Sequence, residues 1–311
     1  MTDRAAWLEA LAAARAAGAG GGRLRELLAE RAARVRADDA AAPRHAMAAR
    51  GAFDLPPGAR VVRDIAYGPD PAQALDVYVP AQADGAALVV IVHGGAWRRG
   101  DKSLLRSVRN KVLHWIGRGY ALVSINYRML PRAQPLEQAD DVARALAFVQ
   151  QRAADWGADG SRAVLLGHSA GAHLVSLIGA DPAICARAGA RPWRATISID
   201  SAAFDLVQIM TRPHFGFYDE AFGADPDAWR AASPLHRLAA PPAAPWLAVC
   251  SALRGDACPQ AQAFAAKAAA LGGQVSVLPV ALSHADLNDL LGAPGAYTEA
   301  VDDFLRSAGL P

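Results

Sequence analysis

From about residue 60 onward, hydrophobic positions recur in two alternating textures. Short runs rich in Val, Ile, Leu and Tyr read as strands at Val61–Tyr67, Leu75–Val79, Ala87–Val92, Tyr120–Tyr127, Ala163–Leu166, Ala195–Ile199, Trp246–Cys250 and Val275–Pro279. The run Ala87–Val92 has no polar residue, as expected of a central strand covered on both faces. Between the strands lie segments with helical spacing. Pro135 to about Trp156 sets Ala139, Val142, Leu146 and Val149 on one stripe, and Ala170–Ala180 is stopped by Pro182. Gln260–Leu271 and Tyr297–Ala308 complete the series. Strands alternating with helices predict an α/β fold, a mostly parallel central sheet with helices on both faces. No internal repeat interrupts it.

Residues 1 to about 55 have another texture. Trp7, Leu8 and Leu11 share one helical face and Leu24, Leu27, Leu28 and Val35 another, separated by Gly18, Gly20, Gly21 and Gly22. This predicts a helical N-terminal extension or lid over residues 1–55, followed by one domain at 56–311. Within that domain, about 203–232 reads as a small cap-like insertion. Phe204, Phe215, Phe217, Tyr218 and Phe222 cluster there, and an aromatic loop-rich segment suits an apolar wall over a site.

Composition narrows the choices further. The 311 residues carry 32 basic and 30 acidic side chains, a net charge of +2 with no long basic block, so no nucleic-acid footprint is expected. Three cysteines, Cys185, Cys250 and Cys258, are too few and too scattered for a disulfide framework or a thiolate metal site. Met1–Ala10 contains Asp3, Arg4 and Glu9, which is a poor export signal, and no apolar run approaches the length of a membrane span. The expectation is a cytoplasmic protein with a small-molecule partner, no metal, no nucleic acid and no membrane span.

Candidate chemistry centres on Gly167-His168-Ser169-Ala170-Gly171, a G-x-S-x-G sequence between a strand and a helix. A serine on so sharp a turn needs small neighbours, and the helix start beside it offers free N–H groups and a positive dipole end. His93-Gly94-Gly95-Ala96-Trp97 follows the strand Ala87–Val92, where glycines let backbone N–H groups approach a ligand closely. Gly94, Gly95 and Ala170 are therefore the candidate backbone donors to an oxyanion. Serine needs a base and an orienting acid. His284 follows the last strand in Leu282-Ser283-His284-Ala285-Asp286 and is the candidate base. His168 and His173 read as packing or supporting groups. The chain order Ser, Asp, His selects Asp256, in the loop Arg254-Gly255-Asp256 after Trp246–Cys250, with Asp200 and Asp205 as rivals. Trp97, Phe215, Phe217 and Tyr218 are the candidate pocket residues.

These stretches resemble the α/β-hydrolase superfamily, in particular its esterase and arylformamidase-like branch. Asp64-Ile65-Ala66-Tyr67-Gly68, Leu75-Asp76-Val77-Tyr78, His93–Trp97 with Gly100-Asp101-Lys102, Asn126-Tyr127-Arg128, Gly167–Leu174 and Ala232-Ser233-Pro234-Leu235 carry the similarity. The resemblance implies hydrolysis of carboxylic esters through a Ser169–His284–Asp256 triad, or of aryl formamides such as N-formylkynurenine, with no metal or organic cofactor. A non-catalytic binding protein on the same scaffold is the rival of another class. Two departures stand out: Ala96 occupies a position where arylformamidases commonly place Tyr, and the loop around Asp256 lacks the usual acidic and proline pattern.

Overall fold

The computed structural model describes residues 53–201 and 203–311. The expectation for residues 1–55 therefore lies, apart from Phe53–Leu55, outside the described residues. Eight strands form one sheet in the order β1-β2-β4-β3-β5-β6-β7-β8. They are β1 (Arg60–Ala66), β2 (Ala74–Val79), β3 (Ala86–Val92), β4 (Tyr120–Ile125), β5 (Ala158–His168), β6 (Ala195–Ile199), β7 (Trp246–Ser251) and β8 (Val275–Val280). The pairs β1–β2 and β2–β4 are antiparallel, and the other five pairs are parallel.

The unbroken apolar run of β3 follows from its two covered faces. Leu88, Val90 and Val92 enter one core while Ala87, Val89 and Ile91 enter the other. Strand pleating sends successive side chains to opposite faces, so a two-sided burial leaves no polar position. The first core is closed by helices α1 and α2. Here α1 (Pro135–Arg152) supplies Val142, Leu146 and Val149, and α2 (Ala170–Ala180) supplies Leu174 and Ile178. The N-terminus of α1 is a capping box, in which the Gln134 N–H donates to Glu137 Oε2 at 2.8 Å. The second core is closed by Leu105–Ile116 through Val108, Val112 and Trp115, and by Ala296–Ser307 through Val301 and Leu305. The helix Leu105–Ile116 was not predicted, although its apolar residues sit at helical spacing.

Four short helices lie between β6 and β7, at Leu206–Met210, Gly216–Phe222, Pro226–Ala231 and Pro234–Arg237. They occupy and slightly overrun the expected insertion. After β7 comes α3 (Ala257–Ala270), and after β8 comes α4 (His284–Asp289). The structure also joins Cys250 and Cys258, with Sγ–Sγ 2.10 Å and Cα–Cα 5.2 Å, a single local disulfide among cysteines expected to be too few and too scattered for a disulfide framework. Cys258 is the second residue of α3, just past the loop that follows β7, so the fold brings the two together. Cys185 is free and buried, and burial pushes its thiol up to about 12.

The parallel strands all end on one edge, which is where ligands bind in such sheets. His93 follows β3, Ser169 follows β5, Asp200 follows β6, Ala252–Asp256 follow β7, and His284 lies four residues after β8.

Candidate active site

Ser169 sits between β5 and α2 with φ 55° and ψ −119°, a left-handed backbone for a residue with a Cβ. Such a conformation costs on the order of 1–3 kcal/mol and persists only where the surroundings impose it. Two glycines make it feasible. A Cβ on Gly167 would fall 2.3 Å from the Gly171 carbonyl oxygen, and one on Gly171 would fall 2.2 Å from that of Val92. Neither position has room for a methyl group, which is the steric reason for G-x-S-x-G here. The Ser169 N–H donates to Ile199 O at 2.9 Å, tying the turn to the end of β6.

His284 is the first residue of α4, whose preceding Ser283 caps the helix by accepting from the Asp286 N–H. The ring of His284 lies 4.5 Å, centroid to centroid, from that of His168, the residue before Ser169. His168 Nε2 is 3.0 Å from the His284 carbonyl oxygen. A carbonyl only accepts, so that nitrogen carries the proton. Burial, then the nearby His284 charge, holds His168 well below the ordinary histidine range, so it is neutral. The helix bearing His284 is held at its other end by Lys111, whose Nζ donates to Asn288 O and Oδ1 at 2.5 and 3.0 Å.

The carboxylate on His284 is Asp200, not Asp256. Asp200 Oδ2 accepts from His284 Nδ1 at 2.6 Å, and Asp200 Oδ1 accepts from the Ser251 N–H at 2.7 Å. Its side chain is fully buried. Burial alone would raise its pKa, but the His284 hydrogen bond, the Arg254 charge, the His284 charge and the Ser251 N–H outweigh that and hold the carboxyl well below the usual range. Asp256 is 54% exposed and pairs with Arg254 Nη2 at 3.1 Å. The physical reason is reach. Asp200 continues the buried strand β6, adjacent to the Ser169 turn, whereas Asp256 is turned outward at the start of α3. Asp205, the other rival, caps Leu206–Met210 and accepts from His236.

The glycine loop lies against the nucleophile turn: a Cβ on Gly94 would stand 2.9 Å from Ser169 Cβ and from His168 O. Ala170, the first residue of α2, has one of the N–H groups that a helix start leaves unbonded within the helix. The loop takes left-handed backbone at Gly95, Ala96 and Trp97, with φ of 130°, 51° and 59°. Several bonds fix it. Tyr127 Oη donates to His93 O at 2.9 Å, Gln138 Nε2 donates to Trp97 O at 2.8 Å, and Lys102 N–H donates to Asn126 Oδ1 at 2.6 Å. The Lys102 ammonium reaches Asp64 and the fully buried Asp76, at 2.6 Å each. Burial alone would depress it, but those bonds and charges raise its pKa above the ordinary lysine value.

Of the four expected pocket residues, Trp97 and Tyr218 are packed into the core beside Phe222 and His173. Trp97 Nε1 donates to His173 Nδ1 at 3.1 Å, and His173 Nε2 donates to Ala232 O at 2.8 Å. Burial pushes His173 down to about 4, so it stays neutral. Phe215 and Phe217 stack on each other at 5.5 Å on the outer side of this cluster, and Phe215 is half exposed. Hollows of about 340 Å³ beside Ser161 and Arg191–Arg194 and about 280 Å³ beside Arg63, Asp64 and Lys102 contain none of the site residues. Among the described residues no group of three or more His, Cys, Asp and Glu side chains is arranged to hold a metal.

The sheet order and the placement of these residues define an α/β-hydrolase fold. Esterase B from Lactobacillus rhamnosis shares it, with a TM-score of 0.67 at 20% identity over 91% of this chain and 95% of that one. Residues 75–184 match the BD-FAE family model. In sequence the chain is similar to the probable isoprenylcysteine alpha-carbonyl methylesterase ICMEL1 of Oryza sativa, 34% identical over 118 residues, covering 38% of this chain and 27% of that protein. It is also similar to esterase LipC of Mycobacterium tuberculosis, 29% identical over 203 residues, covering 58% of this chain and 48% of that protein. The chain spans between about a quarter and a half of the length of these curated relatives. The BD-FAE match takes in the Gly94–Gly95 loop and Ser169 but stops before Asp200, Arg254 and His284.

Proposed function

We propose that this chain is a serine hydrolase of carboxylic esters. The observation that carries the reading is a serine in strained left-handed backbone at a strand-to-helix turn, one residue from His168, whose ring lies against that of His284 and whose N–H donates to the His284 carbonyl, while His284 Nδ1 donates to the buried Asp200. Ser169 attacks the carbonyl carbon while His284 Nε2 takes its proton. Asp200 keeps Nδ1 protonated and so leaves Nε2 free as the acceptor. The N–H groups of Gly94, Gly95 and Ala170 receive the oxyanion. The tetrahedral adduct collapses to an acyl-enzyme as His284 returns the proton to the leaving alcohol, and water activated by His284 then releases the acid. The half-exposed Phe215 and its neighbour Phe217 suit a small to medium acyl or aryl group.

The test compares wild type with Ser169→Ala on p-nitrophenyl esters of graded chain length, with N-formylkynurenine alongside. Serine-dependent ester turnover supports the reading. A strong preference for the formamide makes the enzyme an arylformamidase instead, and absence of serine-dependent turnover of either class contradicts hydrolysis of these substrates. The cytoplasmic expectation meets an opposing observation, the Cys250–Cys258 disulfide, since cytosolic thiols are held reduced. Counting thiols in acid-quenched protein tests the bond itself: one free thiol is expected where Cys250–Cys258 is formed, and three where it is reduced.

A further inference from the structure

Arg254 stands in the loop where the chain order Ser, Asp, His had located an acid, and it reaches back to the acid that the fold supplies from β6. Its Nη1 donates to Asp200 Oδ2 at 2.8 Å, the same oxygen that accepts from His284 Nδ1. The same Nη1 stands 3.0 Å from His284 Nδ1. Both nitrogens carry protons directed at one oxygen, so this is a contact between two donors and not a hydrogen bond. The guanidinium is largely buried, its Nη2 bonds Asp256, and the Arg254 N–H donates to Ser251 O. The Cys250–Cys258 bond closes the loop that carries it.

We propose that Arg254 is a positioning residue of the proposed triad, which aims Asp200 and, by the charge it sets against His284, extends to lower pH the range in which His284 is a neutral base. The inference rests on the serine-hydrolase reading. Asp200 already has the His284 and Ser251 donors, so any neutral donor could complete its hydrogen bonding. A guanidinium adds something a neutral group cannot: a fixed positive charge in contact with a ring that must become positive during the reaction. It disfavours the imidazolium relative to the neutral imidazole, opposing the usual effect of the triad carboxylate.

Beyond the Asp200 carboxylate and the Arg254 guanidinium, the groups around His284 are neutral or held by other partners. His168 from β5 is neutral, with the ammonium of Lys111 acting on it from the helix Leu105–Ile116. Tyr218 and Tyr297, from the helices Gly216–Phe222 and Ala296–Ser307, lie within electrostatic reach of Asp200 with phenols that burial keeps protonated. On α4 itself, Asp286 is bonded to Ser283 and Asp289 faces Arg106. Asp256 is the outer partner of Arg254.

The experiment is the pH profile of kcat/KM for p-nitrophenyl butyrate, read at the isosbestic wavelength, which reports the ionisations of the free enzyme. Arg254→Gln should move the acid limb to higher pH by about one unit, so that kcat/KM on that limb falls about tenfold relative to wild type. Arg254→Lys, which keeps the charge, should restore most of the limb. A limb in Arg254→Gln unmoved within about 0.3 unit overturns the proposal. If Arg254→Gln does not fold, Asp256→Asn provides the second reading: removing the anion beside the guanidinium should move the limb to lower pH, and a limb that stays or rises overturns the proposal. Ser169→Ala in the same assay separates the two ideas. Turnover surviving in it defeats the hydrolase reading and this inference together, whereas a dead Ser169→Ala beside an unmoved Arg254→Gln limb defeats this inference alone.

Discussion

Exchanging the carboxyl of Asp200 for an amide probes the site at its most buried charge. Asp200→Asn keeps the shape of the side chain but removes the anion that fixes a proton on His284 Nδ1, and an amide at that oxygen permits the wrong tautomer. For a triad acid this lowers kcat by about 10⁴, or about 5.5 kcal/mol of transition-state stabilisation. The structure also sets a folding cost. Arg254 loses its buried partner, which costs about 3–5 kcal/mol when one member of a buried pair is removed, although Asp256 still holds Nη2. Against a total stability of roughly 5–15 kcal/mol the variant should remain folded but melt earlier. Asp256→Asn removes a half-exposed carboxylate worth about 0–1 kcal/mol and should leave plateau kcat within about twofold of wild type. The assay is steady-state hydrolysis of p-nitrophenyl butyrate on the pH plateau, with active enzyme counted by phosphonate titration and folding checked by urea denaturation. An Asp256→Asn enzyme that is inactive beside a fully active Asp200→Asn would refute the reasoning and return the acid to the loop after β7.

Two further outcomes follow from buried charges elsewhere. Burial pushes Lys111 down to about 7, so between about pH 7 and its ordinary value the unfolded chain binds a proton that the folded chain does not. Stability relative to Lys111→Met should therefore rise with pH above 7, by up to about 1.4 kcal/mol per unit, and a difference between the two proteins that stays flat from pH 7 to 9 in urea titrations contradicts it. Asp76 accepts from Arg63, Lys102 and the Asp64 N–H inside the sheet, so Asp76→Ala should destabilise by about 3–5 kcal/mol, and calorimetry showing an unchanged Tm would sink that expectation.

The strand-to-helix serine was legible because three local signals agree: an aliphatic strand, two glycines with no room for a side chain, and an apolar helix. His284 was legible from its place after the last strand. The carboxylate bonded to His284 was not, because Asp200, Asp205 and Asp256 all satisfy the order Ser, Asp, His, and the choice of Asp256 rested on its loop after Trp246–Cys250. A usable signal was burial: Asp200 directly continues the aliphatic run Ala195–Ile199, where a carboxylate must find partners, while Asp256 sits in a turn-forming Arg-Gly-Asp. Arg254 and Lys111 were missed for a related reason. Basic residues in a loop and on an unread helix look like solvated surface until the fold turns them inward. The strand β5 begins at Ala158, five residues earlier than its aliphatic part, because Asp159, Gly160 and Ser161 read as turn formers. Pairing of Ala158 with Ala86 overrides that local preference. Trp97 and Tyr218, expected to line a pocket, are instead packed into the core beside Phe222 and His173.

The most direct test of the central claim is to trap the nucleophile. Wild-type protein treated with a p-nitrophenyl alkylphosphonate and digested should carry one stoichiometric phosphonyl adduct on Ser169, with Ser169→Ala unlabelled and His284→Ala labelled far more slowly. An unlabelled Ser169 in protein that still hydrolyses p-nitrophenyl esters, or stoichiometric labelling at another residue, would contradict the assignment.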